Sequence, residues 1–386
     1  MHQAAPWMHP RGPGHSLPGE LLTLFLCGDV MTGRGIDQAL PHPSEPTLFE
    51  PHIRDARAYI TMAEETNGPI QRPVAFSYVW GDALSELERV APAARIINLE
   101  TSVTRSDAYW EGKGINYRMH PENIPCLAAA GIDVCVLANN HVLDFGASGL
   151  VETLETLKQA DLKVAGAGEN LNEARAPAVL PLGGGGRLLV LACGTESSGI
   201  PASWAATHDS PGIDRLADLS EATAREITDR VCRIKRAGDV VVASIHWGSN
   251  WGYDVPEEHV RFAHALIDGG IDLVHGHSSH HVRPIEVYRN KLTLYGCGDF
   301  LNDYEGIAGH ASFRGDLALM YFPVVDPSTG ELASLRMTPM QIRRFTLHRA
   351  SQSAALWLRG TLSQISRGFG AQVDLDESGA LVLRWR

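Results

Sequence analysis

Six short segments of this chain end in residues that hold metals or move protons. They are Gly28-Asp29, Asn98-Leu99-Glu100, Asn139-Asn140-His141 with Asp144 three residues on, His246-Trp247-Gly248, His275-Gly276-His277 with His280 and His281 following, and Gly296-Cys297-Gly298-Asp299. Each delivers a carboxylate, an amide oxygen or an imidazole. Mixed donors of this kind suit borderline divalent ions such as Mn, Zn, Fe or Ni. Two such ions about 4 Å apart polarise an oxyanion and lower the pKa of a water between them. A serine nucleophile is not indicated, because the sequence has no Gly-x-Ser-x-Gly elbow. Singly, each residue has a plainer reading. An aspartate after a strand is more often a cap, and Asn139-Asn140 makes an ordinary turn. Their joint recurrence is what points to a site.

Most of these segments follow short apolar runs. Leu21–Cys27, Arg95–Asn98, Val134–Ala138, Leu188–Cys193, Val240–His246 and Leu273–His275 read as strands, several of them apolar on successive residues as strands buried on both faces are. Between them the spacing predicts helices over Trp80–Ala91, Pro121–Ala130, Gly149–Ala160, Ser220–Arg236 and Glu257–Asp268. Pro121 and Pro256 sit near helix starts, and Gly131 and Gly269 follow helix ends. The alternation predicts an α/β sandwich, whose sites form at the C-terminal ends of the strands. After residue 280 the pattern changes. Val282–Tyr288 with Leu292–Tyr295, and Leu317–Val325 with Leu332–Phe345, read as two hairpins. A helix over 350–366 and a strand Leu381–Trp385 follow. Gly183–Gly186 reads as a turn, since it lacks the lysine and helix of a phosphate loop.

Composition narrows the function classes. The 386 residues carry 33 basic and 45 acidic side chains, a net charge of −12, which argues against a nucleic-acid binder. Hydrophobic residues make up 44%, enough for a large core without disulfide staples. The six cysteines form no C-x-x-C pair and read as small buried hydrophobes in a reducing compartment. The run Leu21–Cys27 is too short to span a bilayer, and no other stretch could, so a cytoplasmic protein is expected. The first 20 residues, with four prolines, read as a disordered tail. The proline-rich stretch 40–79, with a helix over Ile53–Glu65, reads as an inserted lid-like segment.

Taken in order, Gly-Asp, Asn-Leu-Glu, Asn-Asn-His, His-Trp-Gly, Gly-His-x-x-His and Gly-Asp-Phe resemble the CapA-type poly-γ-glutamate (capsule) biosynthesis family, within the calcineurin-like metallophosphoesterase superfamily. The resemblance covers 21–305 as one domain and leaves 306–386 as strands and a helix packed on it. It implies a four-layer α/β/β/α sandwich with a C-terminal antiparallel extension, and one or two divalent ions. It assigns Asp29, Glu100, Asn140, His246 and His277 as metal ligands and His141 as the group that stabilises the leaving group, oriented by Asp144. His280 and Asp299 fall in the last motifs as further catalytic candidates. Two departures stand out: Met31 replaces the histidine of Asp-x-His, and Ser278 replaces a histidine of the last histidine motif. The first removes a nitrogen ligand from one metal position. His275 and His277 offer an alternative i, i+2 pair. Arg34 and Arg118 could bind an anionic group or form surface salt bridges. Trp247, Asn250 and Trp251 flank His246, and with His275 and His281 they are candidate substrate contacts.

Three functions follow. The first is hydrolysis of a phosphoester, or of a peptide or poly-γ-glutamate amide, by water that a metal activates. The second is epimerisation at a peptide α-carbon, which needs a base and an acid on opposite faces and a polarised carbonyl. The third is a non-catalytic assembly role in capsule polymer synthesis. In each, the partner is a small anionic or peptide-like, polyglutamate-like substrate.

Overall fold

The computed structural model describes residues 21–307 and 309–386; the tail expected over 1–20 lies outside them. The N-terminal apolar runs form strands β1 (Leu22–Val30), β2 (Ala94–Leu99), β3 (Val134–Val136) and β4 (Lys163–Ala165). The helices among them are α1 (Arg34–Ala39), α2 (Arg57–Asn67), α3 (Asp82–Val90), α4 (Pro125–Ala129) and α5 (Gly146–Gln159). A second series follows: β5 (Ala178–Pro181), β6 (Arg187–Gly194), α6 (Glu221–Ile234), β7 (Val240–His246), α7 (Glu257–Asp268), β8 (Leu273–His277), β9 (Ile285–Tyr288) and β10 (Lys291–Leu294). The chain finishes with β11 (Asp299–Leu301), β12 (Leu317–Val325), β13 (Leu332–Arg343), β14 (Thr346–Arg349), α8 (Gln352–Ser366), β15 (Ala371–Leu375) and β16 (Leu381–Trp385).

These strands build two mixed sheets. The first has the order β15-β16-β13-β12-β1-β2-β3-β4, with β11 beside β1 and β14 beside β13. Within it β1 to β4 run parallel, and β12 and β13 join antiparallel. The second has the order β9-β10-β8-β7-β6-β5, with β6, β7, β8 and β10 parallel. The period-2 alternation of a strand shows how the second sheet is covered. Leu188, Val190, Val240 and Val242 share one apolar core with β1 and β2. Their neighbours Leu189, Leu191, Val241 and Ala243 pack on Ile227 and Val231 of α6 and on Phe262 and Leu266 of α7. Each fully buried side chain of this size stabilises the fold by about 1.5–3 kcal/mol relative to leaving it exposed.

Differences from the expected elements have local causes. The helix expected over Pro121–Ala130 is a single 3-10 turn, Pro121–Asn123, followed by α4. Pro125 lacks the N–H that would continue the earlier turn. The run expected over Leu332–Phe345 stops at Arg343, because Arg344 and Phe345 adopt φ of 54° and 59° and turn the chain into β14. Asn-Gly marks such turns in sequences. Here the Glu305 carboxylate does the work, accepting the Arg344 and Phe345 backbone N–H at 2.6 and 2.7 Å. Among the described residues, no helix is long and apolar enough to cross a membrane.

Candidate metal centre

The C-terminal ends of β1, β2, β7 and β8 and the start of β11 meet in one place. β1 and β11 run parallel with Asp29 opposite Asp299. Gly28 permits this approach: a Cβ there would lie 1.6 Å from the Gly298 carbonyl oxygen. On the other side Asp29 pairs with Asn98 of β2. In the second sheet His246 of β7 pairs with His277 of β8. The sheets are tied together where His275 donates from Nε2 to the Cys27 carbonyl at 2.8 Å.

Two donor sets share Asp29. One atom each of Asp29, His246 and His277 lies within 4.8 Å of the others, and the same holds for Asp29, His280 and Asp299. His246 Nδ1 and His277 Nδ1 are 2.8 Å apart, with Asp29 Oδ1 3.9 Å from the latter. In the second set His280 Nδ1 lies 2.8 Å from Asp299 Oδ1, whose other oxygen accepts from Asn302 at 2.8 Å. Asn98 Nδ2 bridges Asp29 and Glu100 at 2.7 and 3.1 Å. Asn140 Oδ1 lies 3.2 Å from His246 Nε2, and Glu100 Oε1 lies 3.8 and 3.9 Å from His141 and His246. Behind His141, Asp144 Oδ2 takes Nδ1 at 2.6 Å.

The electrostatics are those of a site that wants positive charge. Burial, then the neighbouring Asp299, pushes Asp29 up to about 7. Burial and Asp29 raise Glu100. Burial depresses His246 and His277, and brings His141 down to about 4 against the pull of Asp144. For His280 burial is the largest influence and opposes the charged form, but the charge and hydrogen bond of Asp299 together with Asp29 outweigh it and the pKa rises. Asp29 Oδ2 is buried without a hydrogen-bond partner. Two buried carboxylates opposite each other, one with an orphaned oxygen, repel unless a cation or a proton lies between them. The oxygen and nitrogen donors present fit a divalent ion of the Mn, Fe or Zn kind.

The other expected residues fall into distinct places. Asn250 and Trp251 stand at the rim: the Asn250 carbonyl accepts the His280 N–H at 3.1 Å, and Trp251 stacks on His310 at 3.8 Å. His281 is buried against Phe313 and Tyr253. Trp247 points away, because successive strand residues face opposite sides. Its indole donates to the Tyr295 carbonyl at 3.0 Å and stacks on His259. Arg34 and Arg118 both form ion pairs, with the arginine buried rather than on the surface, and Arg34 also lines a cleft with His280. Arg34 binds Glu50 at 2.9 Å and both oxygens of Asp303, and Arg118 binds Asp107 at 2.7 Å. His275 is fully buried, held between Ser244 and the Cys27 carbonyl.

Lys113 had no signal in the sequence. It stands in the irregular stretch between Val103 and Arg118 and reaches the Asn140 carbonyl, Asp144 Oδ1 and, at 3.0 Å, His141 Nδ1. Ser244 could have been found by period-2 reading, since it lies two residues before His246 on β7. A cleft of about 1050 Å³ opens beside the centre, lined by His280, Asn250, Trp251 and Tyr304 together with Ile53 and Met62 of the 40–79 segment.

Fold and site together define a two-sheet α/β protein with a carboxylate–imidazole centre at its strand ends. The family described as bacterial capsule synthesis protein PGA_cap matches residues 23–304, and the chain belongs to that family. A probable polyglutamine synthesis accessory protein of Mycobacterium tuberculosis (strain H37Rv) is 49% identical over 355 residues, which is 92% of this chain and 93% of the relative. The capsule biosynthesis protein CapA of Bacillus anthracis is 25% identical over 324 residues, 84% of this chain and 68% of that protein. The PGA biosynthesis protein CapA of Bacillus subtilis is 26% identical over 328 residues, 85% and 73%.

Proposed function

We propose that this chain is a metal-dependent hydrolase that acts in the synthesis of an anionic polyglutamate-like polymer, cutting an amide or phosphoester bond. The observation that carries the reading is the buried pair Asp29–Asp299, flanked by His246 and His277 on one side and His280 on the other. A divalent ion held there would polarise a substrate oxygen and activate water. Asp29 would bridge the two donor sets, with Glu100 and Asn140 alongside. His280 would supply to the second set the nitrogen that Met31 does not. Asp144 holds His141 through Nδ1, so His141 would exchange a proton at Nε2, the atom facing Glu100. The cleft beside His280 is large enough for several residues of an extended chain, and relatives named as a probable polyglutamine synthesis accessory protein and a PGA biosynthesis protein support a substrate of the glutamyl-polymer type. On this reading the two sheets and their outer helices make the four-layer α/β/β/α sandwich of calcineurin-like metallophosphoesterases, a reading supported by the way the second sheet divides its side chains between the first sheet and α6–α7.

The test is turnover of an aryl phosphate and of γ-glutamyl oligomers by untagged protein loaded with Mn2+. The reading expects turnover of at least one, lost with a chelator and regained with Mn2+. A metal-loaded protein inert towards both classes contradicts it.

A further inference from the structure

We propose that Ser244 and His275 are positioning residues: together with the Cys27 carbonyl they fix His277 as its Nε2–H tautomer and leave Nδ1 bare beside Asp29. The inference rests on the metal reading for its purpose, but the tautomer follows from hydrogen bonding alone. A carbonyl only accepts, so the 2.8 Å contact from His275 Nε2 to Cys27 is an N–H donated by His275. His275 Nδ1 is then the acceptor, and its 3.0 Å partner, the Ser244 hydroxyl, must donate to it. A serine has one hydroxyl proton. Having spent it on His275, Ser244 Oγ accepts at its other contact, 2.9 Å from His277 Nε2. His277 therefore carries its proton on Nε2. Its Nδ1 presents a lone pair 3.9 Å from Asp29 Oδ1 and 2.8 Å from His246 Nδ1.

The reverse polarity is disfavoured. It would need a proton on both nitrogens of His275, a fully buried cation whose partners are a carbonyl and a hydroxyl. The strands set the relay up. Ser244 and His246 share one face of β7, and their register partners are His275 and His277 of β8. All four side chains meet on one face of the second sheet, and Cys27 of β1 closes the relay from the first. The tautomer of a ligating histidine is commonly fixed by the partner of its other nitrogen; here that partner is a hydroxyl whose own direction is set by a second histidine and a backbone carbonyl.

Two measurements test this. Imidazole 15N NMR of the metal-free protein is expected to show His277 protonated at Nε2. Titration calorimetry with Mn2+ is expected to show Ser244→Ala weaker than the unaltered protein by roughly 10- to 100-fold, and Ser244→Thr, which keeps the hydroxyl, close to the unaltered protein. A proton on Nδ1 of His277, or unchanged affinity in Ser244→Ala, overturns the proposal. If the unaltered protein takes up no Mn2+, the metal reading fails, and the imidazole spectrum still decides the tautomer. It also decides if Ser244→Ala does not fold.

Discussion

Asp29 and Asp299 are neighbours across two parallel strands, both removed from water, and burial together with Asp299 penalises ionisation of Asp29. Removing one charge should therefore relieve the metal-free fold while destroying the centre. Asp29→Asn is expected to be at least as stable as the unaltered protein without metal, and to show no further gain when metal is added. The unaltered protein should gain about 2.7 kcal/mol at a metal concentration 100 times Kd. Thermal melts with and without Mn2+ check both, and a metal-induced shift persisting in Asp29→Asn would contradict the assignment. At this scale the sequence was informative where a polar residue ends an apolar run, as at Asp29, His246 and His277. It was uninformative where a site residue arrives from irregular chain, as Lys113 does. His275 and Trp247 show a subtler limit. Sequence places a residue near a strand end, but the pleat and the second sheet decide whether it faces cavity, core or another ligand.

At the scale of elements, close backbone approach and buried ion pairs hold the frame. Gly28→Ala would force a methyl into the Gly298 carbonyl. An overpacking cost of about 1–3 kcal/mol is expected, read as a lower urea midpoint, together with weaker metal binding because Asp299 moves with Gly298. Glu86 of α3 is buried against Thr338 of β13 at 2.7 Å and against Arg89 and Arg349. Although its burial favours the neutral acid, these partners prevail and hold its carboxyl at about 2, below the ordinary 4.5. Its contribution is thus complete above pH 4.5 and is lost as pH falls towards 2. In urea unfolding from pH 6 down to pH 2, Glu86→Gln should lose less stability than the unaltered protein; parallel curves would contradict this. Strands with continuous apolar runs, such as β7, were legible to the residue. The half-exposed edge strand β5 was not, having little burial to write into its sequence. Nor was the turn at Arg344-Phe345, since the carboxylate that pins it comes from Glu305.

In the whole molecule, a buried cation helps to fasten the 40–79 segment to the body, beside the buried side chains of Ile60, Ala63 and Ile70 and the Val74–Ala39 backbone bond. Arg34 donates to Glu50 and to the Tyr59 hydroxyl on the segment and to Asp303 on the body, and its guanidinium lies over the Tyr59 and Tyr117 rings. Arg34→Met would leave two buried carboxylates without their partner, at a cost of about 3–5 kcal/mol. Limited proteolysis should then cut first within 40–79; an unchanged digest would show that the segment is held by other contacts. The alternation of strands and helices revealed the α/β class, but not that β12 would lie directly beside β1 with β13 beyond it, because strand order depends on long-range pairing. The central claim, a cation centre shared by both sheets, is tested most directly by anomalous diffraction from crystals of untagged protein equilibrated with Zn2+. The account predicts a peak at roughly 2.0–2.2 Å from donor atoms of Asp29, His246 and His277. Metal bound elsewhere, with no peak at Asp29, would contradict it.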